Sequence, residues 1–242
     1  MVDVAYAESR FRGAEIPHRY GAGVHLLDDP LAWSLLARAC SPDTGQPDTG
    51  RLVRFLYEIL AHTVLAAEFP RARVDTPTRM IASHPEAVYR GTALARTTKA
   101  VTVGIARAGT MPSQVVFDLM NEVLDPALVR QDHLFMSRRT NEQGEVVGAT
   151  WHDAKIGRDV GERFVLFPDP MGATGSSMVS ALTYYKTELD GAPARCIAMH
   201  LIVTPEYVKR VKDAHPDCVI YALRLDRGLS PAHVLRAEPG VH

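Results

Sequence analysis

One repeated order constrains this chain more than any other feature: a short β-branched run, a turn, then a helical pattern. Ala100 to Ala106 (AVTVGIA) ends in Arg107-Ala108-Gly109, and a helix is predicted over Ser113 to Leu124. Arg163 to Phe167 (RFVLF) enters a Gly-rich turn and then a helix from Ser176 to Leu189. Arg195 to Val203 (RCIAMHLIV) leads to a helix from Pro205 to Ala214 and on to a strand at Cys218 to Leu223 (CVIYAL). Strands that alternate with helices need crossover connections, which set neighbouring strands parallel. The expected class is therefore α/β, a mainly parallel sheet flanked by helices. His133 to Ser137 adds a strand, and the polar stretch Arg138 to Glu162, with Gly144 and Gly148 and alternation near Val146 to Trp151, reads as a β-hairpin flap.

The first half of the chain is expected to be an N-terminal helical extension followed by a long helix. Residues 1–24 mix charge, Gly and Pro without periodicity, Pro30 to Ala39 can form a short helix, and Ser41 to Gly50 (SPDTGQPDTG) reads as a loop. From Arg51 to Phe69 apolar residues such as Leu52, Phe55, Leu56, Ile59, Leu60 and Val64 recur at three- and four-residue steps, with Thr49 as the expected cap. A stretch rich in Pro and Arg follows and reads as a loop. No internal repeat is present, so one domain is expected over 1–242, with 1–50 as the extension and 138–162 as the flap.

Composition excludes several classes. The 242 residues are 46% hydrophobic and 23% charged, an ordinary globular make-up with room for one large α/β domain. A formal net charge of -1 and the lack of a basic cluster argue against nucleic acid as a partner. Cys40, Cys196 and Cys218 are widely spaced and odd in number, which points to a reducing compartment, with the cytoplasm as the expected location. The N-terminus lacks a signal-like apolar core, and no apolar run reaches the roughly 18 residues a membrane helix needs.

Ligands of open parallel sheets settle outside the carboxyl ends of strands, so loops that directly follow strands are the places to look for chemistry. The segment from Val165 to Ser177 (VLFPDPMGATGSS) carries an apolar strand into an acidic residue and then a small-residue turn that opens a helix. Small residues let the backbone approach a ligand, and the free N–H groups at the helix start, with the hydroxyls of Thr174, Ser176 and Ser177, form a cradle for a phosphate monoester.

Asp169 to Gly175 resembles the phosphoribosyl pyrophosphate motif of type I phosphoribosyltransferases in the form used by uracil phosphoribosyltransferases, Asp-Pro-Met-small-Ala-Thr-Gly. Pro170, where most type I relatives carry a second acid, points to the uracil branch. Matches continue in the family's order at Tyr57-Glu58, Thr76-Pro77, Arg107-Ala108-Gly109, Thr204-Pro205-Glu206 and His215 to Tyr221, so the resemblance covers residues 25–228.

The resemblance implies transfer of a phosphoribosyl group from phosphoribosyl pyrophosphate to uracil. Arg107, Ala108 and Gly109 would hold pyrophosphate, helped by Arg138 and Arg139 from the flap; Asp169 would bind the ribose hydroxyls; Ala173, Thr174, Gly175, Ser176 and Ser177 would hold the 5′-phosphate; Asp226 is a possible acid at the edge of the site. Mg²⁺ would arrive on the pyrophosphate without direct protein ligation. His152 and Asp153 lack a third ligand at useful spacing, so no metal is expected there. A homodimer or higher homo-oligomer is also implied, with the N-terminal helices as candidate contacts.

Departures from the family keep two other readings open: a non-catalytic nucleotide-sensing regulator on the same fold, and a phosphoribosyltransferase for another base. Gly172 stands where Leu is usual, Ser176 where Gly is usual, and Thr110-Met111-Pro112 where Leu-Gly-Met is common. The family's Tyr-Ile-Val-Pro-Gly and Gly-rich segment, which reads the uracil ring, has no counterpart before His242. The expectation is that phosphoribosyl binding is retained while the base is read differently or by residues beyond His242.

Overall fold

The apolar runs of the sequence become neighbouring parallel strands in a computed structural model, which describes residues 11, 13–140 and 146–237. The side chains of 136–154 lie outside that description. The N-terminal half contains β1 (Val24–Leu26), α1 (Pro30–Ala39), α2 (Asp48–Glu68), β2 (Arg71–Pro77), β3 (Val88–Leu94), β4 (Ala100–Ala106) and α3 (Thr110–Val123). There follow β5 (Val129–Thr140), β6 (Val146–Lys155), β7 (Phe164–Pro168), β8 (Met171–Gly172), α4 (Ser176–Thr187), β9 (Arg195–Val203), α5 (Pro205–Ala214), β10 (Val219–Leu225) and α6 (Ala232–Arg236).

The main sheet has the order β1-β10-β9-β7-β4-β5-β6, with β8 paired to the end of β9. All pairings are parallel except β5 with β6, and the register sets Ile220 beside Ala198, Leu166 beside Ile197, and Val101 beside Val165. Strand residues are apolar in unbroken runs because both faces are covered. On one face Val103, Phe167, Ala198 and Ile220 pack under Met178, Leu182 and Tyr185 of α4 and Tyr207 and Val211 of α5. On the other, Leu166, Ile197, Met199 and Tyr221 pack under Leu36 of α1, Leu56, Leu60 and Val64 of α2, and Val116 and Met120 of α3. Both helical layers leave the carboxyl edge of the sheet open, where the loops after β4, β7, β9 and β10 gather.

Several expectations are corrected. Helix α2 begins at Asp48 and its N-cap position is Pro47 without a side-chain cap bond, so Thr49 lies in the first turn and its hydroxyl donates to the Thr44 carbonyl at 3.1 Å. The Pro- and Arg-rich stretch is an antiparallel hairpin, β2 with β3, that forms a sheet of its own. Strand β1, within the expected extension, adds to the edge of the main sheet beside β10. The flap hairpin starts inside β5, pairing His133 with Lys155, while residues 156–162 lie outside its strands. Its base is clamped by Asp132, which is 1% exposed and accepts from Arg130 Nε at 2.8 Å and from the Tyr185 hydroxyl at 2.8 Å. Arg130 also donates to the carbonyls of Gly157 and Asp159 at 3.1 and 2.9 Å, tying the returning chain to β5.

Candidate active site

Four parallel neighbours, β10, β9, β7 and β4, end on one edge, so the loops that follow them stand side by side. The turn after β7 is built from the backbone outward. The Asp169 N–H donates to the Met199 carbonyl at 3.0 Å, and the Pro170 carbonyl accepts from Leu201 and Ile202 at 3.1 Å each. Met171–Gly172 then pairs with β9, the Gly172 carbonyl accepting from Thr204 N–H at 3.0 Å. Gly175, at φ 78°, makes the left-handed turn that starts α4 and leaves the N–H groups of the first helical turn without partners inside the helix. Those donors, the positive end of the helix dipole and the hydroxyls of Thr174, Ser176 and Ser177 together can hold an anion.

Thr204 links this turn to the next loop. Its hydroxyl donates to the Ala173 carbonyl at 2.6 Å and accepts from Tyr207 N–H at 3.1 Å, capping α5. Arg210, one turn further along α5, donates from Nη1 to Ser176 Oγ. After β10, Asp226 N–H donates to the Val203 carbonyl at 2.7 Å and the Asp226 carboxylate accepts from Arg227 N–H at 2.7 Å, which puts this acid beside Thr204.

The loop after β4 approaches from the other side. A Cβ on Gly109 would stand 2.8 Å from the Pro168 carbonyl oxygen and 2.9 Å from Ile105, so only glycine lets this loop close against the end of β7. The Ala106–Arg107 peptide is cis. Arg107 and Ala108 are exposed at the tip, with Arg107 as the cation on this side of the Asp169 turn.

Beneath the turn lies a buried polar chain. His200, fully buried, faces the Asp169 carbonyl through Nδ1 at 2.5 Å and the Tyr207 hydroxyl through Nε2 at 2.5 Å. Burial lowers the His200 pKa to about 4, outweighing the carbonyl contact that raises it, so the ring is neutral. A carbonyl only accepts, so Nδ1 carries the proton and Tyr207 donates to Nε2. Burial first, then charges nearby that include Asp169, hold the Tyr207 phenol well above its ordinary pKa; burial and then Asp169 do the same for Tyr57, which donates to the Met199 carbonyl at 3.2 Å. Both phenols therefore stay protonated donors.

The segment after β10 folds back over the edge of the sheet. Arg227 Nη1 donates to the carbonyls of Val234 and Ala237 at 2.9 and 2.5 Å. With Tyr20, Pro205, Leu225, Asp226, Ser230 and Leu235 this segment lines a cleft of about 980 Å³.

The structure thus brings together Asp169, Ala173 to Ser177, Arg107 to Gly109 and Asp226. Arg138 and Arg139 pair through backbone with Ala149 and Gly148, but their side chains, like those of His152 and Asp153, lie outside the described residues. Among the described residues no three His, Cys, Asp or Glu side chains gather to hold a metal. His200, Tyr207 and Arg210 were not legible as site residues. The one available signal was Gly172 in place of a larger residue, since the vacated space has to be filled by something.

The chain is similar to known proteins along most of its length. The family model described as "Uracil phosphoribosyltransferase" matches residues 26–240. The uracil phosphoribosyltransferase of Staphylococcus aureus strain Newman is 32% identical over 209 residues, covering 86% of this chain and 89% of the relative, and that of strain N315 matches equally. Among solved structures, the AQ2163 protein of Aquifex aeolicus superposes with a TM-score of 0.66 at 20% identity, over 84% of this chain and 87% of the other, and so shares the fold.

Proposed function

The chain belongs to the uracil phosphoribosyltransferase family, and on that premise we propose that it transfers the phosphoribosyl group of phosphoribosyl pyrophosphate to uracil, giving uridine monophosphate and pyrophosphate. It is accordingly read as a pentosyltransferase acting on small molecules in the cytoplasm, a reading supported by its three free cysteines. Among the described residues no helix is long and apolar enough to cross a membrane.

The observation that carries the reaction is the Asp169 to Ser177 turn, flanked by the Arg107 loop on one side and by Thr204 and Asp226 on the other. In the proposed reaction the bond from C1′ to a pyrophosphate oxygen breaks and a bond from C1′ to uracil N1 forms. The N1 proton passes to water or to the departing pyrophosphate. Ala173 to Ser177 bind the 5′-phosphate, Asp169 accepts from the ribose hydroxyls, and Arg107 stabilises the negative charge that grows on the leaving group. A leaving group that is already an anion asks little of a protein acid, so positioning supplies most of the rate. Mg²⁺, which commonly binds substrate phosphates, would ride on the pyrophosphate and neutralise part of its charge when bound.

Incubation of the folded protein with phosphoribosyl pyrophosphate, Mg²⁺ and radiolabelled uracil should give labelled uridine monophosphate. Absence of that product refutes the assignment. A second reading, transfer to a different base, is favoured by one observation: α6 and the Arg227 tether occupy the segment after Asp226, where the family's Gly-rich base-reading stretch is expected. Product analysis across a panel of bases separates the two.

A further inference from the structure

We propose that Arg210 is a phosphate-binding residue of the cradle, giving the 5′-phosphate of the substrate a full positive charge that the segment Asp169 to Ser177 does not itself contain. The inference rests on the reading of Ala173 to Ser177 as a phosphate site and assigns it one more group. That segment offers only hydroxyls and backbone N–H groups, and its single ionisable side chain, Asp169, is acidic. A dianionic phosphate held by neutral donors alone leaves much of its charge uncompensated.

Two independent observations single out Arg210. The first is position. A Cβ on Gly175 would stand 3.4 Å from Arg210 Cβ and 3.5 Å from Cδ, so the arginine stem lies against the turn and its head reaches Ser176 Oγ. Helix α5 is held in that place by Thr204, which caps it and binds the Ala173 carbonyl of the same turn. The second is charge. Lys209 is paired with Asp213 at 2.6 Å, and Lys212 is spent on the carbonyls of Pro216 and Cys218 at 2.6 and 2.8 Å. Among the described residues no carboxylate pairs with the Arg210 guanidinium, which donates instead to a hydroxyl at the mouth of the cradle. A planar guanidinium can meet two phosphate oxygens at once. Ser176 Oγ accepts from Arg210; with phosphate bound, the same hydroxyl can turn and donate to a phosphate oxygen.

The experiment is titration calorimetry of the whole protein with ribose 5-phosphate, in native form and as Arg210→Gln, Arg210→Lys and Lys209→Ala. Arg210→Gln should weaken ribose 5-phosphate about tenfold, the low end for a charge-assisted contact because the side chain is exposed. Arg210→Lys should recover part of the loss by keeping the charge without the fork. Lys209→Ala removes the same charge one residue away and should stay within about twofold of native, and added salt should weaken the native protein more than Arg210→Gln. Equal affinity of native protein and Arg210→Gln, or an equal loss in Lys209→Ala, overturns the proposal. If the native protein binds no ribose 5-phosphate, the cradle reading and this proposal fall together. Binding that depends on Arg210 without formation of uridine monophosphate sustains the proposal and refutes only the transfer to uracil.

Discussion

The ring of Tyr207 occupies the space that a side chain at position 172 would need: a Cβ on Gly172 would stand 2.9 Å from two atoms of that ring. Tyr207 is 2% exposed and held at its hydroxyl by His200, so it has nowhere to move. Gly172→Leu should therefore destabilise the protein by about 1–3 kcal/mol through overpacking. In a Tyr207→Ala background the same change should cost less, with a coupling of about 0.5–3 kcal/mol expected for residues in contact. Urea unfolding of the four proteins in the cycle measures it, and additive effects would contradict the packing account.

The neutral His200 beneath Asp169 gives stability a defined pH dependence. Its pKa falls from the ordinary 6.5 to about 4 on folding, so between those values the unfolded chain binds the additional proton. Stability is then lost as pH drops below about 6.5, continuing to about 4, by roughly 3 kcal/mol in total for this group. His200→Asn should flatten that part of the pH profile measured by thermal or urea unfolding. An unchanged slope between pH 6.5 and 4 would mean that His200 is not buried neutral.

Arg107 sits exposed at a loop tip. Arg107→Ala should leave the thermal midpoint in place while raising KM for phosphoribosyl pyrophosphate and lowering kcat. One charge-assisted contact to the leaving group contributes about 1.5–3 kcal/mol, or about 10- to 150-fold in kcat/KM. Steady-state kinetics with unchanged constants would remove Arg107 from the site.

Self-association is also proposed, with the β2–β3 hairpin as the contact surface. It is a two-stranded sheet separate from the main one, and it exposes Tyr89 on β3 and Met80 and Ile81 in the connection between its strands. A second copy of the chain would cover these side chains. Sedimentation should give at least twice the 26.6 kDa mass, and Tyr89→Glu should shift it toward the monomer; a native monomer at all concentrations would refute the idea.

What the sequence made legible follows from burial. Ala100 to Ala106 and Arg195 to Val203 are central strands buried on both faces, so their apolar runs have the right bounds, and Pro30 and Pro205 mark the first turns of their helices. The β2–β3 hairpin was missed because none of its strand residues is fully buried and neither strand shows a regular alternation. Helix α3 starts at Thr110, earlier than the Ser113 expected, since Pro112 falls in the first turn where its missing N–H costs nothing. The cradle was legible because its residues are contiguous and chemically specific. His200 and Arg210 reach it from 31 and 34 positions away and Tyr207 through its bond to His200, and no local pattern announces them.

Asp169, in the turn that follows β7, is proposed to bind the ribose of phosphoribosyl pyrophosphate during transfer to uracil. The most direct measurement is kcat/KM for uridine monophosphate formation by native protein and Asp169→Asn, each normalised to folded protein by thermal unfolding. Loss of a charge-assisted contact predicts a fall of about 10- to 150-fold with the midpoint retained. Activity per folded molecule equal to native, or a collapsed midpoint with activity preserved, would contradict the assignment.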